Sequence, residues 1–149
     1  MRALTVRQPW AAAIVWWGKS PENRTRNLAG SYRGPVAIHA GLTTDVWAYE
    51  DDMIRDALGR SDDGWALEEQ TGTLGSIIGV VDLVSVHHDS DHGRGHVCSP
   101  WAMAGDWHLM LANPRPLPLP VPCRGALGLW TVPPGVDDQV LVQLQAVTR

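Results

Sequence analysis

The strongest strand signal in this 149-residue chain is the stretch Ser76-Ile77-Ile78-Gly79-Val80-Val81-Asp82-Leu83-Val84-Ser85-Val86. Isoleucine and valine favour the pleated surface of a sheet, and the stretch is nearly all apolar on one side, so we predict a central strand here. A second strand is predicted at Trp107–Leu111. The prolines that follow, from Pro114 to Pro122, place the next segment at a sheet edge or on the surface, because proline cannot donate to a strand ladder.

Shorter elements surround these two strands. Strand patterns occur at residues 3–6, 36–39 and 127–132, and residues 19–25 are expected to be extended. Helices are predicted at residues 10–17, at residues 44–58 with Thr44 as the N-cap, and at residues 137–147, with a helical turn at residues 65–70. Three tryptophans are expected in the core: Trp47, Trp107 and Trp130. Strands with two or three helices packed on them indicate an α+β domain, with a small open barrel as one arrangement.

Length and composition limit the class of protein. A chain of this size is expected to form a single domain over residues 1–149 and to bury roughly 68–70% of its unfolded surface. Cys98 and Cys123 do not make a disulfide framework. Because the sequence has neither a run of about 20 apolar residues nor a secretory pattern, we expect a cytoplasmic protein with no membrane contact.

Charge is distributed unevenly along the chain. Residues 1–35 carry one acid, Glu22, against six basic residues, whereas the rest of the chain carries fifteen acids and six arginines. The six basic residues are Arg2, Arg7, Lys19, Arg24, Arg26 and Arg33. A net charge of −4 argues against a protein that coats a long polyanion. A local basic pocket for one or a few phosphates fits better; the alternative is that these arginines are solvated surface charge.

Lys19 is the only lysine beside eleven arginines. A lysine can lose its proton when it is buried or crowded by cations, whereas a guanidinium stays protonated. Lys19 is therefore a candidate acid, base or nucleophile. The alternative is that a chain biased against lysine retains one by chance.

Three runs of this sequence resemble the ASCH family of PUA-like domains. They are the opening Leu4-Thr5-Val6-Arg7-Gln8-Pro9-Trp10-Ala11, the segment Lys19-Ser20-Pro21-Glu22-Asn23-Arg24-Thr25, and Arg33-Gly34-Pro35-Val36-Ala37-Ile38-His39-Ala40. The family signature is G-x-K-x-x-E-x-R. One departure is that Trp17 stands at the signature glycine, and Gly18 directly precedes Lys19. The chain is most similar to the stand-alone bacterial members near the endothelial-overexpressed, lipopolysaccharide-associated factor subgroup.

The resemblance implies a PUA-like β-pseudobarrel with two to four flanking helices and a cleft lined by Lys19, Glu22 and Arg24. It also implies binding of a short single-stranded RNA, a nucleotide or a modified nucleoside, without a cofactor. Some relatives are enzymes: one bacterial branch has threonine at the position of Glu22 and cleaves the amide of acetylated cytidine, and another is reported to cut RNA. A carboxylate cannot follow the threonine's covalent route, so Glu22 suits a general base.

Two functions therefore remain open. One is a nucleic-acid or nucleotide-binding module, and the other is a hydrolase, either a ribonuclease or a nucleoside amidohydrolase. In the hydrolase, Glu22 or neutral Lys19 would activate water while Arg24, with Arg7, would hold a phosphate or an oxyanion. A third interpretation is an ion pair among Lys19, Glu22 and Arg24 that only orders the cleft.

The candidate ligand-binding residues combine hydrogen-bonding, stacking and charged groups. A glutamine amide can read the edge of a base, and a tryptophan offers a face on which a base can stack. His39 is either a satisfied core histidine or a cleft residue. The set is Arg7, Gln8, Pro9, Trp10, Arg26, Arg33 and His39.

The segment from His87 to Cys98 holds four of the six histidines. The spacing of His92, His96 and Cys98 could place three ligands around zinc. A glycine-rich loop does not preform such a site, and no second paired cluster supports it, so we expect no metal and a mobile polar loop over the cleft.

Overall fold

The computed structural model describes residues 1–60, 64–93 and 97–147. Six strands form one mixed sheet in the order β2-β5-β4-β3-β1-β6. The strands are β1 Arg2–Gln8, β2 Pro21–Arg24, β3 Gly34–Thr44, β4 Ser76–His88, β5 Trp107–Pro122 and β6 Leu129–Thr131. The helices are α1 Trp10–Trp16, α2 Asp52–Gly59, α3 Gly64–Gly72 and α4 Pro134–Val147, with 3₁₀ turns at Val46–Glu50 and Asp89–His92. No helix in these ranges has the length and apolar character needed to cross a membrane.

The predicted central strand is confirmed. β4 pairs antiparallel with β3 on one side and with β5 on the other. Ile78 and Val81 of β4 belong to one apolar cluster and Ile77 and Val80 to another. Because successive side chains of a strand point to opposite faces, this continuous apolar stretch supplies the core on both faces of the sheet.

Each of these two clusters is covered by a helix. On one side Ile14 and Val15 of α1 pack with residues of the sheet such as Leu4 and Ile38. On the other side Val140 of α4, which is fully buried, packs in the cluster that contains Ala3. The molecule is therefore an α+β structure, as predicted from the sequence.

The proline-rich part of β5 lies at a sheet edge, as predicted. β2 pairs only with the first part of β5, at Trp107–Met110, whereas residues from Arg115 to Pro122 pair with β4 alone. Gln143 of α4 covers the other edge, where its Oε1 accepts from Leu119 N at 2.8 Å and its Nε2 donates to Leu119 O at 3.0 Å. A side chain thus satisfies backbone groups that an open edge would leave to a second chain.

Two sequence predictions are wrong in detail. The helix expected at residues 44–58 is divided, because Asp51 is extended and its carboxylate accepts from Met53 N and Ile54 N, so α2 begins after Asp51 rather than after Thr44. Trp47 falls in the preceding 3₁₀ turn and is 81% exposed rather than part of the core. Trp107 and Trp130 are half-buried. Among the described strands the sheet is open, with β2 and β6 at its two ends, and is not a closed barrel.

An ion pair joins β4 and β5. Arg115 Nη2 lies 2.6 Å from Asp82 Oδ1, and its Nη1 donates to Oδ2 at 3.2 Å. Asn113 Nδ2 donates to the same carboxylate at 2.9 Å. The hydrogen bond from Arg115 lowers the pKa of Asp82 below its ordinary value of 3.8, and the one from Asn113 lowers it further.

Because the pKa of Asp82 is lower in the folded state, its stabilisation is fully present above pH 3.8 and is lost as the pH falls through the folded pKa. Asp82→Asn should reduce the free energy of unfolding by about 0.5–1 kcal/mol at pH 7. The difference from wild type should shrink below pH 3.8. Urea unfolding at stepped pH measures this, with the exposed acid variant Glu50→Gln as control. A deficit that stays constant down to pH 3 would contradict the assignment.

Candidate functional site

Lys19 is positioned by the turn that ends α1. Gly18 has a φ of +77°, in the left-handed region that glycine adopts without strain. Lys19 N then donates to Ala13 O at 3.0 Å and closes the end of the helix. The turn that leads into Lys19 is therefore made at Gly18, the residue directly before it.

The structure brings Lys19, Glu22 and Arg24 into contact with one another. Lys19 Nζ donates to Glu22 Oε2 at 3.0 Å and also to Pro21 O. Arg24 Nη2 lies 3.0 Å from the other carboxylate oxygen, Glu22 Oε1. Lys19 is 3% and Glu22 6% exposed, so the carboxylate is buried between two cations.

Arg24 connects this cluster to the sheet. Its Nη2 also donates to Thr5 O of β1 at 3.0 Å. Within the described part of the chain, Arg24 Nε is buried and has no hydrogen-bond partner. Buried donors are nearly always paired in proteins, so a guanidinium N–H in this condition is one that a ligand atom or a water can satisfy.

A small pocket of about 90 Å³ opens beside these groups. Its lining residues are Trp10, Lys19, Glu22, Asn23 and Met103. Lys19 Nζ lies 5.9 Å from the centre of the Trp10 ring, a cation–π distance. Trp10 Nε1 donates to Asp45 Oδ2 at 3.0 Å, which fixes the orientation of the ring. Small-molecule sites measure roughly 300–1,000 Å³, so this pocket admits part of a nucleotide rather than the whole of one.

Asn23 fixes the far wall of the pocket. Its Nδ2 donates to Trp101 O at 2.9 Å, and its Oδ1 accepts from Met103 N at 3.0 Å. Asn23 lies within the signature run, but the run indicates no role for it. Asp45 and Met103 are not predicted from the sequence, because no local pattern relates either residue to Lys19.

Gln8 and Pro9 are buried and do not line this pocket. Gln8 is fully buried, and its Nε2 donates to Gln70 O at 2.7 Å and to Thr73 O at 3.1 Å. Its Oε1 accepts from Ala12 N at 3.1 Å. The Gln8 amide therefore joins α1 to the end of α3, and in this arrangement its groups are not available to read a base. Pro9 is buried and directly precedes α1.

The other predicted ligand-binding residues do not line this pocket. Arg7, Arg26 and Arg33 are exposed, and Arg33 Nη1 donates within its own turn, to Gly30 O and Tyr32 O. His39 lines a different pocket of about 370 Å³ together with Gly125. The His39 ring is buried, and its Nε2 lies 3.0 Å from Cys123 O.

One group of side chains in the described ranges could hold a metal ion: His87, Cys98 and His108. The zinc set weighed from sequence spacing, His92, His96 and Cys98, shares only Cys98 with this group, and His96 lies outside the described residues. Burial raises the pKa of the Cys98 thiol, and the negative charge of Asp89 raises it further.

The fold of this chain is similar to that of ASCH domain proteins of known structure. The chain is similar to the ASCH protein of Zymomonas mobilis, at a TM-score of 0.51 and 15% identity, with 95% of this chain and 93% of that chain covered. Two variants of that protein are also similar, with TM-scores of 0.54 and 0.51 at 14% and 15% identity, covering 95% of this chain and 96% and 94% of theirs. No protein-family model and no curated protein matches the chain. At these identities the likeness establishes the fold.

Breaking the buried ion pair tests how the site is held together. Glu22→Gln leaves the Lys19 ammonium buried without its counter-charge, so the free energy of unfolding should fall by about 3–5 kcal/mol. The double variant Lys19→Met/Glu22→Gln removes the uncompensated ammonium and should be more stable than Glu22→Gln alone. Chemical denaturation measures both. A loss below about 1 kcal/mol in Glu22→Gln would show that the pair is not a structural constraint.

Proposed function

We propose that this chain is a stand-alone ASCH-family, PUA-like binding domain that recognises a short single-stranded RNA, or a nucleotide or modified nucleoside of the same chemistry. The observation that carries the proposal is the buried carboxylate of Glu22 held between Lys19 and Arg24 beside the face of Trp10. The proposed contacts are a phosphate or a base oxygen on the cationic side and stacking of a base on Trp10.

Charge supports a small anionic ligand. Two cations surround one carboxylate, which leaves one positive charge in excess at the pocket. The excess suits one phosphate group. Arg7 and Arg26, which are exposed, would add weaker contacts to neighbouring phosphates.

Hydrogen bonding within the cluster leaves a donor for a ligand. Lys19 Nζ donates to two oxygens, and the two oxygens of Glu22 each face a cation. Lys19 uses two of its three N–H donors in these contacts, so one remains for an anionic ligand. The cluster therefore presents donors to an anion, which supports recognition.

The contribution of stacking can be measured with Trp10→Leu. We expect this change to weaken the affinity for a short single-stranded RNA about 5- to 150-fold, because base–aromatic stacking contributes about 1–3 kcal/mol. Trp47→Leu, which alters a highly exposed tryptophan outside the pocket, is the matched control and should leave the affinity unchanged. Equal affinities for wild type and Trp10→Leu by fluorescence anisotropy would exclude stacking on Trp10.

The salt dependence of binding tests the size of the ligand contact. For single strands the slope of log K against log salt is about −0.7 per phosphate neutralised, so one or two phosphates predict a slope of about −0.7 to −1.4. A titration with the same RNA at four salt concentrations gives this slope. A value steeper than about −3 would indicate a long polyanion track rather than a pocket.

A change of Lys19 separates binding from catalysis. Lys19→Arg keeps the charge but cannot give up a proton, whereas Lys19→Met removes both properties. If the chain is a binding module, Lys19→Arg should retain RNA binding, Lys19→Met should lose it, and no variant should yield product. The panel contains short RNA, short DNA and acylated cytidine, with circular dichroism of each variant as the folding control. Product formed by wild type and abolished in Lys19→Arg would instead establish the hydrolase.

A further inference from the structure

Three metal-binding side chains converge at one end of the sheet, outside the Lys19 pocket. His87 on β4 and His108 on β5 are cross-strand partners, and Cys98 comes from the segment between these strands. His87 Nε2 lies 3.2 Å from His108 Nδ1, and Cys98 Sγ lies 3.4 Å from the same nitrogen. All three candidate ligand atoms lie within 4.8 Å of one another.

These separations match the edges of a zinc coordination tetrahedron. Zinc binds histidine nitrogen at about 2.0–2.1 Å and cysteine sulfur at about 2.3 Å, so tetrahedral ligands are spaced about 3.3 Å from nitrogen to nitrogen and about 3.6 Å from nitrogen to sulfur. The observed 3.2 Å and 3.4 Å are close to these values. His108 Nδ1 therefore lies at coordination spacing from both of the other ligand atoms, which are themselves within 4.8 Å of each other.

The central ligand is oriented for coordination by its own hydrogen bond. His108 is 2% exposed, and its Nε2 lies 2.8 Å from the carbonyl oxygen of Met103. A carbonyl oxygen only accepts, so Nε2 carries the ring proton and Nδ1 presents its lone pair to His87 and Cys98. A backbone carbonyl on the second ring nitrogen is the usual partner of a metal-ligating histidine.

We propose that His87 Nε2, Cys98 Sγ and His108 Nδ1 bind a zinc ion, with water at the fourth position. Coordination replaces the thiol proton, which passes to solvent, and involves two neutral imidazoles and no change of oxidation state. The site differs from the one suggested by sequence spacing, because the strand register rather than the glycine-rich segment provides two of its ligands.

The ion would also brace the wall of the candidate pocket. The carbonyl oxygen of Met103 accepts a hydrogen bond from His108 Nε2, and Met103 also lines the pocket beside Lys19. Asn23 holds the Met103 amide from the opposite side. A metal at His108 would thus fix residues 98–103 between the zinc site and the pocket. The metal site itself does not depend on the proposed function.

The test uses the full chain purified without an affinity tag, stripped with a chelator and titrated with Zn²⁺ by calorimetry. We expect one equivalent to bind to wild type, and Co²⁺ in place of Zn²⁺ to give a thiolate-to-metal charge-transfer band. Cys98→Ser should lose the band and weaken Zn²⁺ binding at least about tenfold. Cys123→Ser, which changes the other half-buried cysteine, should retain both properties.

Two results would overturn the proposal. Wild type that binds no stoichiometric Zn²⁺ would show that the three side chains form only a hydrogen-bonded cluster. Zn²⁺ binding that survives unchanged in Cys98→Ser would place the ion elsewhere. If Cys98→Ser fails to fold, as judged by circular dichroism, His87→Gln carries the test with the same expected loss of affinity.

Discussion

The site depends on the two ion pairs that the buried Glu22 carboxylate makes, one with Lys19 and one with Arg24. A buried charge is tolerated only when it is paired, and here each carboxylate oxygen faces its own cation at 3.0 Å. The pair also joins parts of the fold, because Lys19 follows the end of α1, Glu22 and Arg24 lie on β2, and Arg24 reaches the Thr5 carbonyl of β1. The charges that would meet a ligand are therefore the charges that hold these elements in place.

The sheet determines what surrounds this cluster. β5 pairs with β2 through Trp107–Met110 and with β4 between Trp107 and Pro122, with irregularities in register. It therefore holds β2, the strand of Glu22 and Arg24, beside the buried His108. The segment before β5 returns over the pocket and is held there by Asn23. His39 lies in a separate pocket with Gly125, whose close approach to the imidazole leaves no room for a Cβ atom. The two pockets share no lining residue.

Local patterns in the sequence were sufficient for the central strand, which follows from its β-branched run. The grouping of Lys19, Glu22 and Arg24 was an expectation from the resemblance to the ASCH family. Contacts between residues far apart in the chain could not be predicted from the sequence. Asn23 makes hydrogen bonds to the backbone of Trp101 and Met103. The Gln8 side chain donates to backbone carbonyls of α3 and of the segment after it. The prediction of Thr44 as the N-cap was wrong because Asp51 caps α2, where its carboxylate accepts from Met53 N and Ile54 N. Cross-strand register pairs His87 with His108, and sequence spacing does not single out this pair.

The first measurement to make is to locate the surface of the protein that a short single-stranded RNA contacts. The eight tryptophan indole N–H groups can be followed individually by two-dimensional NMR during a titration, after assignment by single substitutions. If RNA binds beside Lys19, the Trp10 signal should move with added RNA while the Trp130 signal, from the tryptophan beside His39, stays in place. Movement of Trp130 with Trp10 unchanged would instead place the binding site in the His39 pocket, and RNA recognition beside Lys19 would be wrong.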